Sequence, residues 1–287
     1  MRLIKPMKII FNKKILSADT PIIYSNDRGF LFGDGLFETI KAEKNELLFF
    51  AEHYNRLATS AKKLFIPLNF SLLELKTQCE SLLEINKLDE AAVRITLTRG
   101  SSERGIAIES AVSPNLLITT IPYKKQADIY PTLCITAIRR NEYSPLSQLK
   151  TLNFLEPILT RQQAIKNGSA EGVMLNTKGA VTETSVGNLF AVIHQKIFTP
   201  KIEDGLLPGI VRQIVIDIAT KTDIPIKEKT LSPEDLLEAD EIFHTNSLIE
   251  IQSFAKINER PLATGEQALL TRKILETYEW YKNKRKK

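Results

Sequence analysis

Pro122 and Pro131 bracket a largely polar stretch, and this feature constrains the fold more than any other in the chain. Proline lacks an amide donor and steers the residue before it away from helix, so neither a helix nor a central strand runs through such a segment. The chain is therefore expected to divide into a small N-terminal lobe at 1–121, a linker at 122–131 and a larger C-terminal lobe at 132–287 ending in a basic tail. A length of 287 residues allows one large domain or two medium ones with substantial cores.

Strand and helix signals mix in both halves without strict alternation. Residues 8–11 and 21–24 read as strands, and a glycine-rich run from Gly29 to Gly35 leads into 36–40. Tyr54, Leu57, Ala58, Ala61, Leu64 and Phe65 recur at helical spacing over 52–65, and Ser71 with Glu74 has the spacing of a capping box. Strands follow at 92–98 and 115–121. The second half has a strand at 133–138, a helix at about 153–166 stopped by Asn167-Gly168, and short strands between 172 and 199. Leu207-Pro208-Gly209 introduces a helix and Ser232-Pro233-Glu234 caps another. Strands near 241–245 and 251–257 precede a last helix with Leu270, Ile274, Tyr278 and Tyr281 on one side. No internal repeat is present, and the pattern predicts an α+β fold.

Composition excludes several classes. Hydrophobic content of 43% and charged content of 25% are ordinary for a soluble globular protein. No apolar run approaches the roughly 20 residues of a membrane span, and the lysine-studded first 16 residues do not resemble a secretory signal. Cys79 and Cys134 form no paired motif, which argues against a disulfide framework or structural zinc and points to a reducing cytoplasm. A good part of the net charge of +5 sits in 282–287, expected as a solvated tail, and no nucleic-acid signature accompanies it. Gly33-Asp34-Gly35 lacks the third glycine of a dinucleotide fingerprint, and the 100–105 loop lacks the lysine of a P-loop. His53, His194 and His244 show no metal spacing, so they are expected to be structural and no metal is expected.

Two residues stand out chemically. Lys150 lies on the mainly apolar approach Leu149-Lys150-Thr151-Leu152, and Glu183 ends a later strand-like run. Pyridoxal phosphate chemistry requires this pair: a lysine to hold the cofactor aldehyde as a Schiff base, and a carboxylate to keep the pyridine nitrogen protonated. Either residue alone would read as an ordinary surface side chain.

Four motifs give the pair its context: Asp27-Arg28-Gly29-Phe30 through Glu38-Thr39, His53-Tyr54-Asn55-Arg56-Leu57, the Lys150 segment, and Thr182-Glu183 through Asn188. In order and spacing they resemble the class IV aminotransferase family, the fold type IV pyridoxal phosphate enzymes, from about Met7 onward. Residues before Met7 read as an extension, with Met7 as an alternative start. The resemblance implies a two-lobed α+β fold of the D-amino-acid aminotransferase-like type with its cofactor site between the lobes, and a homodimer acting on a small molecule. It makes Lys150 the Schiff-base lysine and proton shuttle, Glu183 the partner of the pyridine nitrogen, and Arg56 a ligand of the cofactor phosphate. The amides of Ile210 and Val211, the Ser247 hydroxyl and the Leu248 amide would complete the phosphate cup.

Three reactions fit such a site: transamination of branched-chain amino acids, transamination of D-amino acids, and elimination of pyruvate from 4-amino-4-deoxychorismate to give 4-aminobenzoate for folate. Phe30 stands where D-amino-acid aminotransferases carry a tyrosine, and the histidine of their carboxylate trap is missing after Arg104. Phe154 stands where branched-chain enzymes carry a tyrosine. The Arg99-Gly100-Ser101-Ser102-Glu103-Arg104-Gly105 loop and the Thr245-Asn246-Ser247-Leu248-Ile249-Glu250-Ile251 segment resemble the lyases. The sequence therefore points first to a lyase, with Phe30 and Arg104 facing the substrate. A class IV aminotransferase is the alternative, and a ligand-binding homologue without activity is a third reading.

Overall fold

The computed structural model describes residues 7–103, 105–108, 113–125 and 129–285. The chain forms two compact units, Met1–Lys125 with Lys150–Asn153, and Gln126–Leu149 with Phe154–Lys287. The break between Lys125 and Gln126 lies within the expected linker, and four residues of the C-terminal half, Lys150–Asn153, group with the first unit.

The first unit is built on a sheet whose six described strands run in the order β2-β1-β6-β5-β3-β4. They are β1 Lys8–Phe11, β2 Lys14–Ser17, β3 Gly35–Glu43, β4 Glu46–Leu47, β5 Glu90–Thr98 and β6 Asn115–Pro122. All the pairings are antiparallel. Leu36, Ile40, Val93, Ile95, Leu97 and Ile118 are buried on the sheet, and Leu57, Ala61, Leu75, Leu82 and Leu83 are buried on helices α2 (Phe50–Lys63) and α3 (Leu72–Asn86). Ser71 caps α3 as its sequence predicts: its hydroxyl accepts from the Glu74 amide at 3.2 Å, and the Glu74 carboxylate accepts from the Ser71 amide at 2.8 Å. Such a cap is worth about 1 kcal/mol.

One local expectation is corrected, and one segment left unassigned acquires a structure. Residues 21–24 form no strand; Pro21 brings no amide donor, and Ile23 and Tyr24 are exposed. The glycine-rich run folds into a short helix, α1 (Arg28–Phe32), because the Asp27 carboxylate accepts from the amides of Gly29 and Phe30 at 2.8 and 3.2 Å.

Residues 150–153 join the first unit through its β3 edge. The Phe37 amide donates to the Lys150 carbonyl at 2.9 Å and the Leu152 amide to the Gly35 carbonyl at 3.0 Å, around a bridge between Leu36 and Thr151. Gly35 permits this approach: a Cβ there would lie 2.6 Å from the Leu97 carbonyl and 2.8 Å from the Leu152 side chain.

The second unit holds a larger sheet. Its path is β12-β11-β10-β9-β8-β7-β15-β16, with β13 pairing β10 and β14. The strands are β7 Thr132–Arg140, β8 Glu171–Asn176, β9 Val181–Thr184, β10 Asn188–Ile193, β11 Lys196–Thr199, β12 Ile226–Glu228, β13 Glu241–Asn246, β14 Glu250–Ser253, β15 Lys256–Ile257 and β16 Arg260–Pro261. Its core gathers Leu133, Val173, Leu189, Ala191, Ile242 and Phe254, and Phe190 stacks on Phe243 at 4.7 Å. Helices α4 (Leu155–Lys166), α5 (Ile210–Lys221), α6 (Pro233–Glu238) and α7 (Leu269–Arg285) complete the unit, with Ser232 capping α6. No helix among the described residues is long and apolar enough to cross a membrane.

The basic end is not wholly a solvated tail. Lys282 is buried on α7 and donates to the buried Glu250 carboxylate at 2.8 Å, and Glu279 also accepts from it. Lys286 and Lys287 lie outside the described residues. Removing one partner of a buried pair strands the other charge. Lys282→Met is expected to cost about 3–5 kcal/mol in urea denaturation, and Lys282→Met with Glu250→Leu to recover most of it. Two single losses that simply add in the double variant would refute the pairing.

Candidate active site

In the first unit, the backbone pairing of 150–152 with the β3 edge sets where Lys150 stands. Its Nζ lies 4.4 Å from the centroid of the Phe37 ring, and the Arg94 guanidinium lies 3.8 Å from that same ring. Arg94 follows from the strand register: Thr39 pairs with Arg94 on β5, and Phe37 shares the Thr39 face. Arg94 is exposed on this face of the strand, and its Nε donates to the Thr96 hydroxyl at 3.3 Å.

The neighbouring residue, Glu38, projects to the opposite face of β3, and its carboxylate is buried. It accepts both arms of the Arg56 fork, Nε at 2.8 Å and Nη2 at 2.7 Å, and pairs with His53 Nδ1 at 2.7 Å. His53 and Arg56 reach one carboxylate because they lie three apart on α2. Burial alone would raise the Glu38 pKa, but the Arg56 charge and the bonds from Arg56 and His53 outweigh it and hold the group at about 2. Burial chiefly lowers the His53 pKa, and the charges of Arg56 and Lys150 add to this against the pull of Glu38. Glu38 thus holds the arginine fork in a fixed direction.

The second unit assembles Glu183, Asn188, the start of α5 and the turn after β13. In register, Asn188 on β10 faces Glu183 of β9 on one side and Thr245 of β13 on the other. Glu183 Oε2 accepts from Asn188 Nδ2 at 3.1 Å and from the Leu207 amide at 3.2 Å, and Oε1 lies 3.3 Å from Arg140 Nη1. Asn188 also donates to the Leu207 carbonyl at 2.8 Å, which ties the carboxylate to the segment entering α5. Gly209, the residue before that helix, could not be larger, since a Cβ would fall 1.9 Å from Asn188 Oδ1. Helix α5 has no side-chain cap and no acid in its first turn, leaving the Ile210–Val211 end suited to an anion.

The 247–249 turn is shaped by Asn246, whose Oδ1 accepts from the amides of Leu248 and Ile249 at 2.9 Å each. The Leu248 amide, expected to serve the phosphate, is therefore already engaged. Phe30 is 73% exposed on α1, and Arg104 lies outside the described residues. His53 and His244 are buried and His244 is held by Thr184 and Gln252, while no cluster suited to a metal occurs among the described residues.

Two motif residues that suggested a lyase are used by the fold. Arg99 is buried, with Nε and Nη2 on Asp34 at 2.7 and 2.9 Å and further bonds to the Phe65 and Leu64 carbonyls at 2.9 and 2.8 Å. Glu250 holds Lys282.

The amino-transferase class IV family model matches residues 35–257. The chain belongs to that family. It is 30% identical to the D-alanine aminotransferase of Staphylococcus aureus strain N315 over 96% of this chain and 97% of that protein. Among solved structures, Escherichia coli branched-chain amino acid aminotransferase superposes with a TM-score of 0.90 at 25% identity, covering 96% of this chain and 94% of that one. A putative 4-amino-4-deoxychorismate lyase from Legionella pneumophila superposes with a TM-score of 0.84 at 30% identity, covering 92% and 96%. The fold is that of the type IV enzymes, and the chain is an enzyme whose cofactor is pyridoxal 5'-phosphate. The residues present fit that group: a lysine amine set by backbone pairing, an oriented carboxylate and an uncapped helix start.

Sequence reasoning missed Arg94, Arg140 and the anchoring part of Glu38. Glu38 had a local signal, an acid inside an apolar strand; the two arginines had none. Because the folded Glu38 pKa lies below its ordinary value, its stabilisation is present above about pH 4.5 and is lost as pH falls towards about 2. Unfolding measured across this range should lose about 2–3 kcal/mol in the wild type, while Glu38→Gln starts less stable and shows a shallower slope. Equal slopes in both proteins would contradict the pairing.

Proposed function

We propose that this protein is an aminotransferase that moves the amino group of an α-amino acid to a 2-oxo acid such as 2-oxoglutarate. Support comes chiefly from the near end-to-end likeness to a D-alanine aminotransferase, together with the structural roles of Arg99 and Glu250, two of the motif residues that favoured a lyase. Bound pyridoxal phosphate supplies an aldehyde that takes up an amine and a ring that draws electrons from it.

The chain's own residues do the rest. Lys150 Nζ would hold the cofactor through its aldehyde and would carry the proton of the substrate α-carbon. Glu183 keeps the pyridine nitrogen protonated. The Arg56 fork, aimed by Glu38, binds phosphate together with the Ile210 and Val211 amides and the Ser247 hydroxyl. Leu248 joins them where its hydrogen is shared with Asn246. Arg94, against the same ring as Lys150, is a fixed cation suited to the substrate α-carboxylate, with Phe30 and Arg104 as further substrate contacts. The exposed Leu31 and Phe32 of α1 give an apolar surface for pairing of two copies.

The purified protein is expected to be coloured by its cofactor. Borohydride should fix the label on Lys150, and Lys150→Ala should lower turnover by about 10²–10⁴ or more. A label on another lysine would defeat the assignment. An amino donor is expected to turn over only with a 2-oxo acid present. Release of pyruvate from 4-amino-4-deoxychorismate without an acceptor would return the reading to the lyase.

A further inference from the structure

Arg140 closes β7 at 9% exposure, and none of the roles assigned above uses it. Its guanidinium divides between two partners: Nη2 donates to the Ser147 carbonyl at 2.8 Å, and Nη1 lies 3.3 Å from Glu183 Oε1. Ser147 belongs to the 3₁₀ turn Pro145–Gln148, just before Lys150. The other oxygen of Glu183 accepts from two neutral donors, the Asn188 side-chain amide and the Leu207 backbone. Arg140 is thus a full positive charge against a carboxylate that is itself 6% exposed. A buried arginine held this way has no freedom to relax from the pair, and screening by salt is small at such depth.

The consequence concerns a single proton. A carboxylate beside a pyridine nitrogen can leave the proton on nitrogen, giving an ion pair, or take it onto oxygen, giving two neutral groups. In the second state the N–H bond is broken, an O–H bond is formed, and both charges vanish. Burial favours this neutral state, since it avoids two buried charges. Arg140 opposes it, because a proton on Glu183 would sit closer to the guanidinium than one on the ring, and Arg140 would lose its counter-ion.

We propose that Arg140 is a positioning residue that keeps Glu183 ionised and so holds the proton on the cofactor's pyridine nitrogen. The inference rests on the assignment of Glu183 as the partner of that nitrogen. An adjacent opposite charge shifts a carboxyl equilibrium by about 1–3 pK units, so the proton distribution should change at least about tenfold when the charge is removed.

The test is nitrogen NMR of the holoenzyme loaded with pyridoxal phosphate labelled at the pyridine nitrogen, at one neutral pH. Wild type should show a protonated nitrogen. Arg140→Gln should move the signal towards a neutral, hydrogen-bonded nitrogen and lower kcat with little change in KM. Arg140→Lys, which keeps the charge, should stay close to wild type. A purely structural arginine would give the same signal in both variants, either both native or both altered, and that result overturns the proposal. Should Arg140→Gln fail to fold, Arg140→Lys decides: a neutral nitrogen there sinks the idea. Failure of wild type to take up the cofactor would instead defeat the underlying reading.

Discussion

Two backbone hydrogen bonds on the β3 edge organise the first unit's part of the chemistry. They carry residues 150–153 out of the C-terminal half of the sequence and add them to the first unit. Because the pairing is backbone to backbone, it fixes the place of Lys150 without depending on the lysine side chain. Gly35 makes the approach sterically open, and Phe37, two residues on, supplies the ring against which the amine and Arg94 both rest. Alternation along β3 then sends Glu38 to the opposite face, where it aims Arg56. One strand thereby places the Lys150 amine on one side and the paired Arg56 guanidinium on the other.

The second unit follows a related logic with side-chain amides in place of a strand edge. Asn188 bonds both the Glu183 carboxylate and the Leu207 carbonyl, so the residue expected at the pyridine nitrogen and the entry to α5 cannot move independently. Gly209 leaves the space that this requires. Within each unit, buried charged groups are held by bonded counter-ions: Arg56 by Glu38 and Arg99 by Asp34 in the first, Lys282 by Glu250 in the second. Such pairs bring geometry rather than large net stability, since desolvation offsets much of their attraction. Geometry is what an enzyme of this family needs most, because orientation supplies much of the rate.

Arg99 and Glu250, which belong to the motifs that resemble the lyases, serve the fold. Arg99 spends its donors on Asp34 and on two carbonyls at the end of α2, and Glu250 anchors the last helix. Sequence spacing does not distinguish a charge that faces substrate from one that is sealed by a counter-ion far along the chain.

Local physics was legible in the residues alone. The capping box of Ser71 and Glu74, the Ser232 cap, the start of α5 after Leu207-Pro208-Gly209 and the α+β mixture follow from forces acting over a few residues. The family motifs also singled out Lys150 and Glu183 as the candidate chemical pair. Tertiary structure alone decided which unit receives Lys150, that Arg94 shares its ring, that Arg140 faces Glu183 across 43 positions, and that Lys282 is buried. Each depends on strand register or on a charge meeting its partner after the chain has closed a long loop, and no periodicity within one segment encodes such a meeting.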